Sequence, residues 1–219
     1  PSCGRIDRVE SFSSQYVSPR NIDIWIPDHY DETRKFSVLY MHDGQMLYDS
    51  SIAWNRQSWD VDDVLCKLYA KRKIINVIVV GIWNVNGERH ADYFPQTPFE
   101  SLTLKEKEII REQLKEAGRS EEDFTPRSDA YLRFLVEELK PYIDKKYQVH
   151  CNRDNTFIMG SSMGGLISLY ALCKYPDVFG SAACLSTHWP GTFSANNPFP
   201  EAMRAYLENN LPAPGAHKI

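Results

Sequence analysis

Gly160-Ser161-Ser162-Met163-Gly164-Gly165 decides how this 219-residue chain folds. The hexapeptide fits G-x-S-x-G. It lies between a short apolar run, Thr156-Phe157-Ile158-Met159, and an apolar stretch at 166–172 that reads as a helix. A strand that ends in so tight a turn strains the backbone of its serine, and glycines two before and two after leave room for the neighbouring backbones. Ser162 is therefore expected above a sheet at a helix N-terminus, placed as a nucleophile, with the N–H of Met163 turned toward a developing oxyanion. A bare G-x-S-x-G also arises in Ser-Gly-rich turns. The strand before it and the helix after it are what favour the nucleophile.

The rest of the chain repeats that alternation. Residues 36–41 are nearly all apolar, as a central strand covered on both faces should be, and 74–82 gives a second such pattern. Between them, Val61, Val64, Leu65, Leu68 and Tyr69 recur at helical spacing. Residues 5–14 and 21–27 alternate and predict an antiparallel pair at one edge. Residues 86–125 break the rhythm with Pro95, Pro98, a charged stretch at 105–116 and Gly118, which predicts an insertion with its own solvated helix. Pro126 then opens a helix with Leu132, Leu135, Val136, Leu139 and Ile143 as its buried stripe. A strand at 181–186, a helical stretch at 202–207 and a strand just beginning at 217–219 complete the pass. The expectation is one α/β domain over residues 1–219: a mostly parallel sheet with helices on both faces and an antiparallel N-terminal edge.

Composition narrows the function. With 42% hydrophobic and 12% aromatic residues the chain can bury one sizeable core, and its net charge of -4, with Lys and Arg scattered among Asp and Glu, gives no basic stripe for nucleic acid. The longest apolar run, 74–83, is too short to span a bilayer, which needs about 20 residues. The chain opens on Pro1 without an initiator Met or an apolar leader, so a processed or trimmed product is expected; cytoplasmic and exported locations both stay open. Cys3, Cys66, Cys151, Cys173 and Cys184 are odd in number and form no CxxC pair, which favours free, buried thiols over a disulfide framework.

An ester-cleaving serine needs a second oxyanion donor from the loop after an earlier central strand. Tyr40-Met41-His42-Asp43-Gly44-Gln45 supplies a turn there, with the N–H of Gln45 as donor and Gly44 permitting the bend. An ordinary Asp-Gly turn fits the same residues. A metal at His42 and Asp43 fits less well, since no further ligands recur at metal-binding spacing. At the end of the 74–82 strand, Trp83 and Asn84 are candidate pocket residues, because ligands gather at strand carboxyl ends. Arg89 and Tyr93 on the following segment would lie on the rim above Ser162. The competing reading pairs Arg89 with Asp92 as a structural ion pair and leaves His90 exposed.

Three stretches together, 39–45, Gly87-Glu88-Arg89-His90-Ala91-Asp92-Tyr93-Phe94-Pro95 and 160–165, resemble the esterase family related to esterase D. That family includes enterobactin esterases, feruloyl and acetyl-xylan esterases and S-formylglutathione hydrolases, and the mycolyltransferases are similar. The resemblance covers roughly residues 20–190. It implies the α/β-hydrolase fold, no cofactor, Ser162 as nucleophile, the Gln45 and Met163 amides as oxyanion hole, and a pocket touching Gly44. The resemblance does not fix the ester; a small-molecule ester, carbohydrate-linked or of siderophore type, is the candidate substrate.

The triad order on this fold is Ser, then Asp or Glu, then His. After Ser162 the chain offers only Asp177, Glu201 and Glu208 as carboxylates and His188 and His217 as histidines. Asp177 sits in a helix-to-strand connection, and His188 comes one strand too early for the resemblance. Acid and base are therefore expected beyond Ile219, with the final strands of the sheet. Two other functions remain open: acyl transfer to a sugar hydroxyl, and a non-catalytic binding or scaffold protein that kept the elbow alone.

Overall fold

The computed structural model describes residues 1–120 and 123–219; residues 121 and 122, inside the expected insertion, lie outside the described residues. Six strands form one sheet: β1 (Arg5–Phe12), β2 (Arg20–Ile26), β3 (Ser37–His42), β4 (Val77–Ile82), β5 (Thr156–Ser161) and β6 (Ser181–Leu185). Their order is β1-β2-β4-β3-β5-β6. β1 and β2 pair antiparallel and β2 lies antiparallel to β4, whereas β4, β3, β5 and β6 run parallel. The reading of a parallel centre with an antiparallel N-terminal edge holds. Burial explains it: β4 is buried at every residue, as β-branched runs covered on two faces require, while half-exposed β1 alternates at the edge.

The period of two sorts the core into two layers. Ile22, Ile24, Val38, Tyr40, Ile78, Val80 and Ile158 face one side, and Trp25, Met41, Val77 and Val79 the other. Helix α1 (Val61–Ala70) covers the second side through Leu65. Its expected stripe needs one correction, since Val64 is 49% exposed and looks into a groove of about 630 Å³ that also touches Leu39, Met41, Met159, Ser161 and Leu185.

The first side is thickly covered. The segment 86–125 forms α2 (Arg89–Tyr93), α3 (Gln96–Glu100) and α4 (Leu104–Glu116), the last opened by a capping box between Thr103 and Glu106. It is less solvated than its charge suggests. Tyr93, Phe94, Phe99, Ile110, Leu114 and Phe124 all enter the main core. Next come α5 (Ser128–Arg133), a π-helical stretch (Phe134–Leu139) and α6 (Lys140–Lys146) as one continuous run, with Leu132, Leu135, Leu139 and Ile143 buried as the periodicity predicts. α7 (Met163–Lys174) is buried almost all round, and α8 (Phe199–Asn210) anchors through Phe199 and Met203.

Beside β6, Lys218 makes a single parallel bridge to Ser181, with Ala182 N donating to Lys218 O at 3.0 Å. Leu185 on that strand is 43% exposed. The cysteines correct the reading of five free thiols: Cys3 and Cys66 form a disulfide across 63 residues, with Cα atoms 6.4 Å apart, a spacing that suits the bond. Cys151, Cys173 and Cys184 are free, and of these Cys151 is exposed. Among the described residues no helix is long and apolar enough to cross a membrane.

Candidate active site

Ser162 stands between β5 and α7 with φ 60° and ψ −120°. A non-glycine residue reaches such a conformation only where its surroundings impose it. Here the imposition is local. A Cβ at position 160 would lie 2.5 Å from the carbonyl of Gly164, so the first and last glycines of the motif touch backbone to backbone. Ser162 N donates to Leu185 O at 2.9 Å, and Gly165 N and Leu166 N both return to Ser162 O at 3.1 Å. The strand, the turn and the helix thus leave the serine no other backbone.

Opposite the elbow, β3 ends in the turn 43–46. Asp43 takes the left-handed conformation, φ 58° and ψ 46°, and Gly44–Met46 forms one 3-10 turn. Gly44 is required by contact: a Cβ there would meet the Gly81 carbonyl carbon at 2.6 Å. The turn approaches the elbow closely, since a Cβ on Gly164 would sit 3.5 Å from His42 Cβ and 3.6 Å from Asp43 Oδ2. Among the described residues, the N–H groups of Gln45 and Met163 have no hydrogen-bond acceptor within the protein. Free amides beside a strained serine can accept charge from a substrate oxygen.

The neighbouring side chains form a polar network. Arg89 grips Asp43 with two bonds of 2.7 Å, and Asn84 Nδ2 adds a third at 2.7 Å. The backbone N–H of Asn84 donates to Gln45 Oε1 at 3.2 Å. Burial opposes ionisation of Asp43, but the bonds and charge of Arg89, with Asn84 behind them, hold its carboxyl below the usual range. Tyr93 is fully buried under the turn, and its hydroxyl accepts the Asp43 N–H at 3.3 Å. His42 is buried too, sharing a 2.8 Å bond with the Tyr131 hydroxyl while its Nε2 has no partner. Burial pushes its pKa down to about 4, so the ring is neutral at pH 7.

Of the pocket residues, Gly44, Asn84 and Arg89 therefore gather at the turn, and Tyr93 supports it from below. Trp83 turns elsewhere: its indole donates to Asp23 Oδ2 at 2.8 Å under the guanidinium of Arg8. The Arg89–Asp92 ion pair does not form. Arg89 reaches back to Asp43, while buried Asp92 pairs with Arg20 at 3.0 Å and Arg127 at 3.2 Å. His90 is buried rather than exposed, and its Nε2 donates to Gly191 O at 2.8 Å. The buried groups that spacing did not single out are Tyr131 and Arg20. Arg20, between Pro19 and Asn21, and Tyr131, between Asp129 and Arg133, stand in mixed surroundings that carry no signal for burial.

Neither later histidine is arranged as a base. His188 lies in the loop after β6 and its N–H donates to Ser162 O at 3.2 Å, but its ring Nε2 donates to Thr192 O at 2.8 Å. His217 Nε2 donates to Pro176 O at 2.7 Å. Asp177 is exposed on the connection between α7 and β6. Among the described residues no group of His, Cys, Asp and Glu is placed to hold a metal ion.

The chain is 32% identical over 136 residues to the ferri-bacillibactin esterase BesA of Bacillus subtilis, covering 59% of this chain and 40% of that protein. To the uncharacterized protein YbbA of the same organism it is 23% identical over 181 residues, 82% of this chain and 61% of that one. It is 29% identical over 111 residues to the carboxylesterase SOBER1 of Arabidopsis thaliana, 51% of this chain and 49% of the relative. The chain thus spans 61% or less of each of these relatives. In fold it is similar to the siderophore hydrolase EstA from Aspergillus nidulans, with a TM-score of 0.67 at 17% identity over 100% of this chain and 68% of the other. The enterobactin esterase FES from Shigella flexneri gives 0.58 at 18% identity, over 86% and 39%. The family described as "Putative esterase" matches residues 13–217, through both the turn and the elbow, and the chain belongs to that family, with an α/β-hydrolase fold.

Proposed function

We propose that Ser162 is the nucleophile of a carboxylic-ester hydrolase that works through an acyl-enzyme. The observation that supports this reading most is the strained backbone of Ser162 at a strand-to-helix elbow whose Gly164 lies against His42 and Asp43, with the Gln45 and Met163 amides as the donors the reading assigns. Ser162 Oγ attacks the ester carbonyl, the carbonyl electron pair moves onto oxygen, and the two N–H groups receive that charge. The alcohol leaves as the tetrahedral centre collapses, and water then releases the acid. No cofactor enters these steps.

A serine hydroxyl is a weak nucleophile without a base, and proton transfer typically contributes ~10²- to 10⁴-fold in rate. His188 and His217 are both committed to carbonyl oxygens. Among the described residues neither ring is hydrogen-bonded to Ser162, and the reading takes residues 1–219 as belonging to a single hydrolase domain. The named functions of BesA, EstA and FES support a siderophore-type ester as substrate, with a carbohydrate-linked ester as the alternative.

The test uses the full-length protein. A fluorophosphonate should label Ser162, and Ser162→Ala should lower hydrolysis of short aryl esters by at least about 10³-fold. Ala fits the elbow without losing a core contact, so the melting temperature should move by no more than about 2 °C. Retention of more than about a few per cent of activity would remove the nucleophile assignment. A product burst followed by turnover that needs a sugar acceptor would instead show acyl transfer, and absence of labelling a binding or scaffold protein.

A further inference from the structure

The turn at 43–46 does not hold its own shape. Its internal bonds are Met46 N to Asp43 O at 2.8 Å and Leu47 N to Gly44 O at 3.3 Å, and Asp43 occupies a left-handed conformation that an L residue adopts at a cost. What fixes it comes from β4 and beyond: Asn84 binds the side chains of both Asp43 and Gln45, Tyr93 takes the Asp43 N–H, and Arg89 takes both carboxylate oxygens. The Asp43 side chain is 7% exposed and that of Arg89 33%. Arg89 also lies over the ring of Tyr93, 5.0 Å from its centre. A fork that is bidentate on one side and stacked on the other cannot be copied by a lysine.

Location gives the pair its second consequence. Asp43 Oδ2 lies 3.6 Å from where a Gly164 side chain would begin, against the first turn of α7 whose leading amide is that of Met163. An uncompensated carboxylate there would repel an oxyanion held by that amide, and in a partly buried site the repulsion is poorly screened.

We propose that Arg89 is a positioning residue for the reaction: by its two-pronged bond to Asp43 it fixes the turn that presents the Gln45 N–H, and it cancels the negative charge Asp43 would otherwise set beside the oxyanion. This rests on Ser162 being the nucleophile. It assigns Arg89 a task distinct from gripping substrate, because its Nε and one terminal nitrogen are spent on Asp43.

The experiment compares Arg89→Lys, Arg89→Met and the double variant Asp43→Asn/Arg89→Met in the full-length protein, using an aryl ester and its thionoester, in which sulfur replaces the carbonyl oxygen. Removing one oxyanion donor typically lowers kcat by ~10²- to 10³-fold. Arg89→Met should therefore lose about 10²-fold in kcat and Arg89→Lys about tenfold, each with KM within about threefold of the parent. The double variant, carrying no stranded charge, should be at least as active as Arg89→Met. A well-formed hole prefers oxygen to sulfur, so the ester-to-thionoester ratio of kcat/KM should shrink in Arg89→Lys by about the factor lost in kcat. A KM increase at unchanged kcat would make Arg89 a substrate contact and overturn the proposal, as would an unchanged ratio. Should Arg89→Met fail to fold, the ratio in Arg89→Lys decides alone. Ser162→Ala separates the two levels: its retaining activity removes the nucleophile reading, whereas a dead Ser162→Ala with an unmoved ratio removes only the role of Arg89.

Discussion

The elbow at 160–165 is closed by its own neighbours, Gly160 against Gly164 and Ser162 against Leu166, whereas the turn at 43–46 facing it is held by Asn84, Arg89 and Tyr93, which lie 41, 46 and 50 residues along the chain from Asp43. One wall of the site is steric and local; the other is electrostatic and long-range. The elbow resists anything but a glycine at its contact points. The turn resists the loss of partners that no local pattern announces. The two walls should accordingly fail differently, one through packing and one through charge.

Gly160→Ala attacks the local wall and should have the largest effect. Its Cβ would sit 2.5 Å from the Gly164 carbonyl, a backbone atom that cannot swing aside. Overpacking of this kind costs about 3 kcal/mol, which in a chain of this size lowers the melting temperature by about 5–10 °C, and displacement of Ser162 should remove more than about 99% of esterase activity. A protein with Gly160→Ala that keeps its rate would show that the elbow is looser than its contacts imply. The Cys3–Cys66 disulfide offers a contrast that touches neither wall. Closing a loop of 63 residues stabilises by up to about 4 kcal/mol in the chain-entropy account. Cys3→Ser/Cys66→Ser should lower the urea midpoint accordingly and leave kcat within about twofold. A large fall in kcat would tie the disulfide to the site.

How much was legible in the sequence follows the same division. G-x-S-x-G between an apolar strand and an apolar helix predicts the elbow's backbone because most of what constrains it lies within the motif, the Leu185 carbonyl and the His188 N–H being the exceptions. The two central strands and the antiparallel edge are readable for a similar reason, since burial on one or two faces leaves a period in the chain. Arg89 is the counter-example. A partner three residues away, Asp92, satisfies helical spacing, yet Arg89 bonds Asp43 and Asp92 takes Arg20 and Arg127. Which strand end faces which is a property of the sheet order, and charge alone does not encode it. Cys3 found Cys66 for the same reason: the N-terminus runs beside α1, with Ser2 N donating to Asp62. His90 reads as a charged-segment residue but is buried because the loop at 191 closes over it.

The electrostatic wall has a signature in acid. His42 lies under the turn, fully buried, with a pKa lowered by burial to about 4 from an ordinary value near 6.5. The unfolded chain takes up a proton on this ring as pH falls through 6.5, while the folded protein refuses it until pH is near 4. Between those values the unfolded state binds more protons, so stability must rise with pH across the window and be lost on acidification, by up to about 3 kcal/mol for this one ring. His90 is displaced in the same direction by burial, to about 4, and adds a share of its own. Asp43 acts in a lower window: with its carboxyl held down by Arg89 against the cost of burial, its contribution is present above the unfolded pKa and disappears as pH drops below about 4. Urea midpoints at pH 7.5, 6.0 and 4.5 should therefore fall steadily, and His42→Gln should flatten the fall by roughly half while His90→Gln removes most of the remainder. Equal midpoints at pH 7.5 and 4.5 in the parent protein would mean that the rings gain solvent on acidification, and that the wall facing Ser162 is not sealed by charge and burial as the network around Asp43 requires.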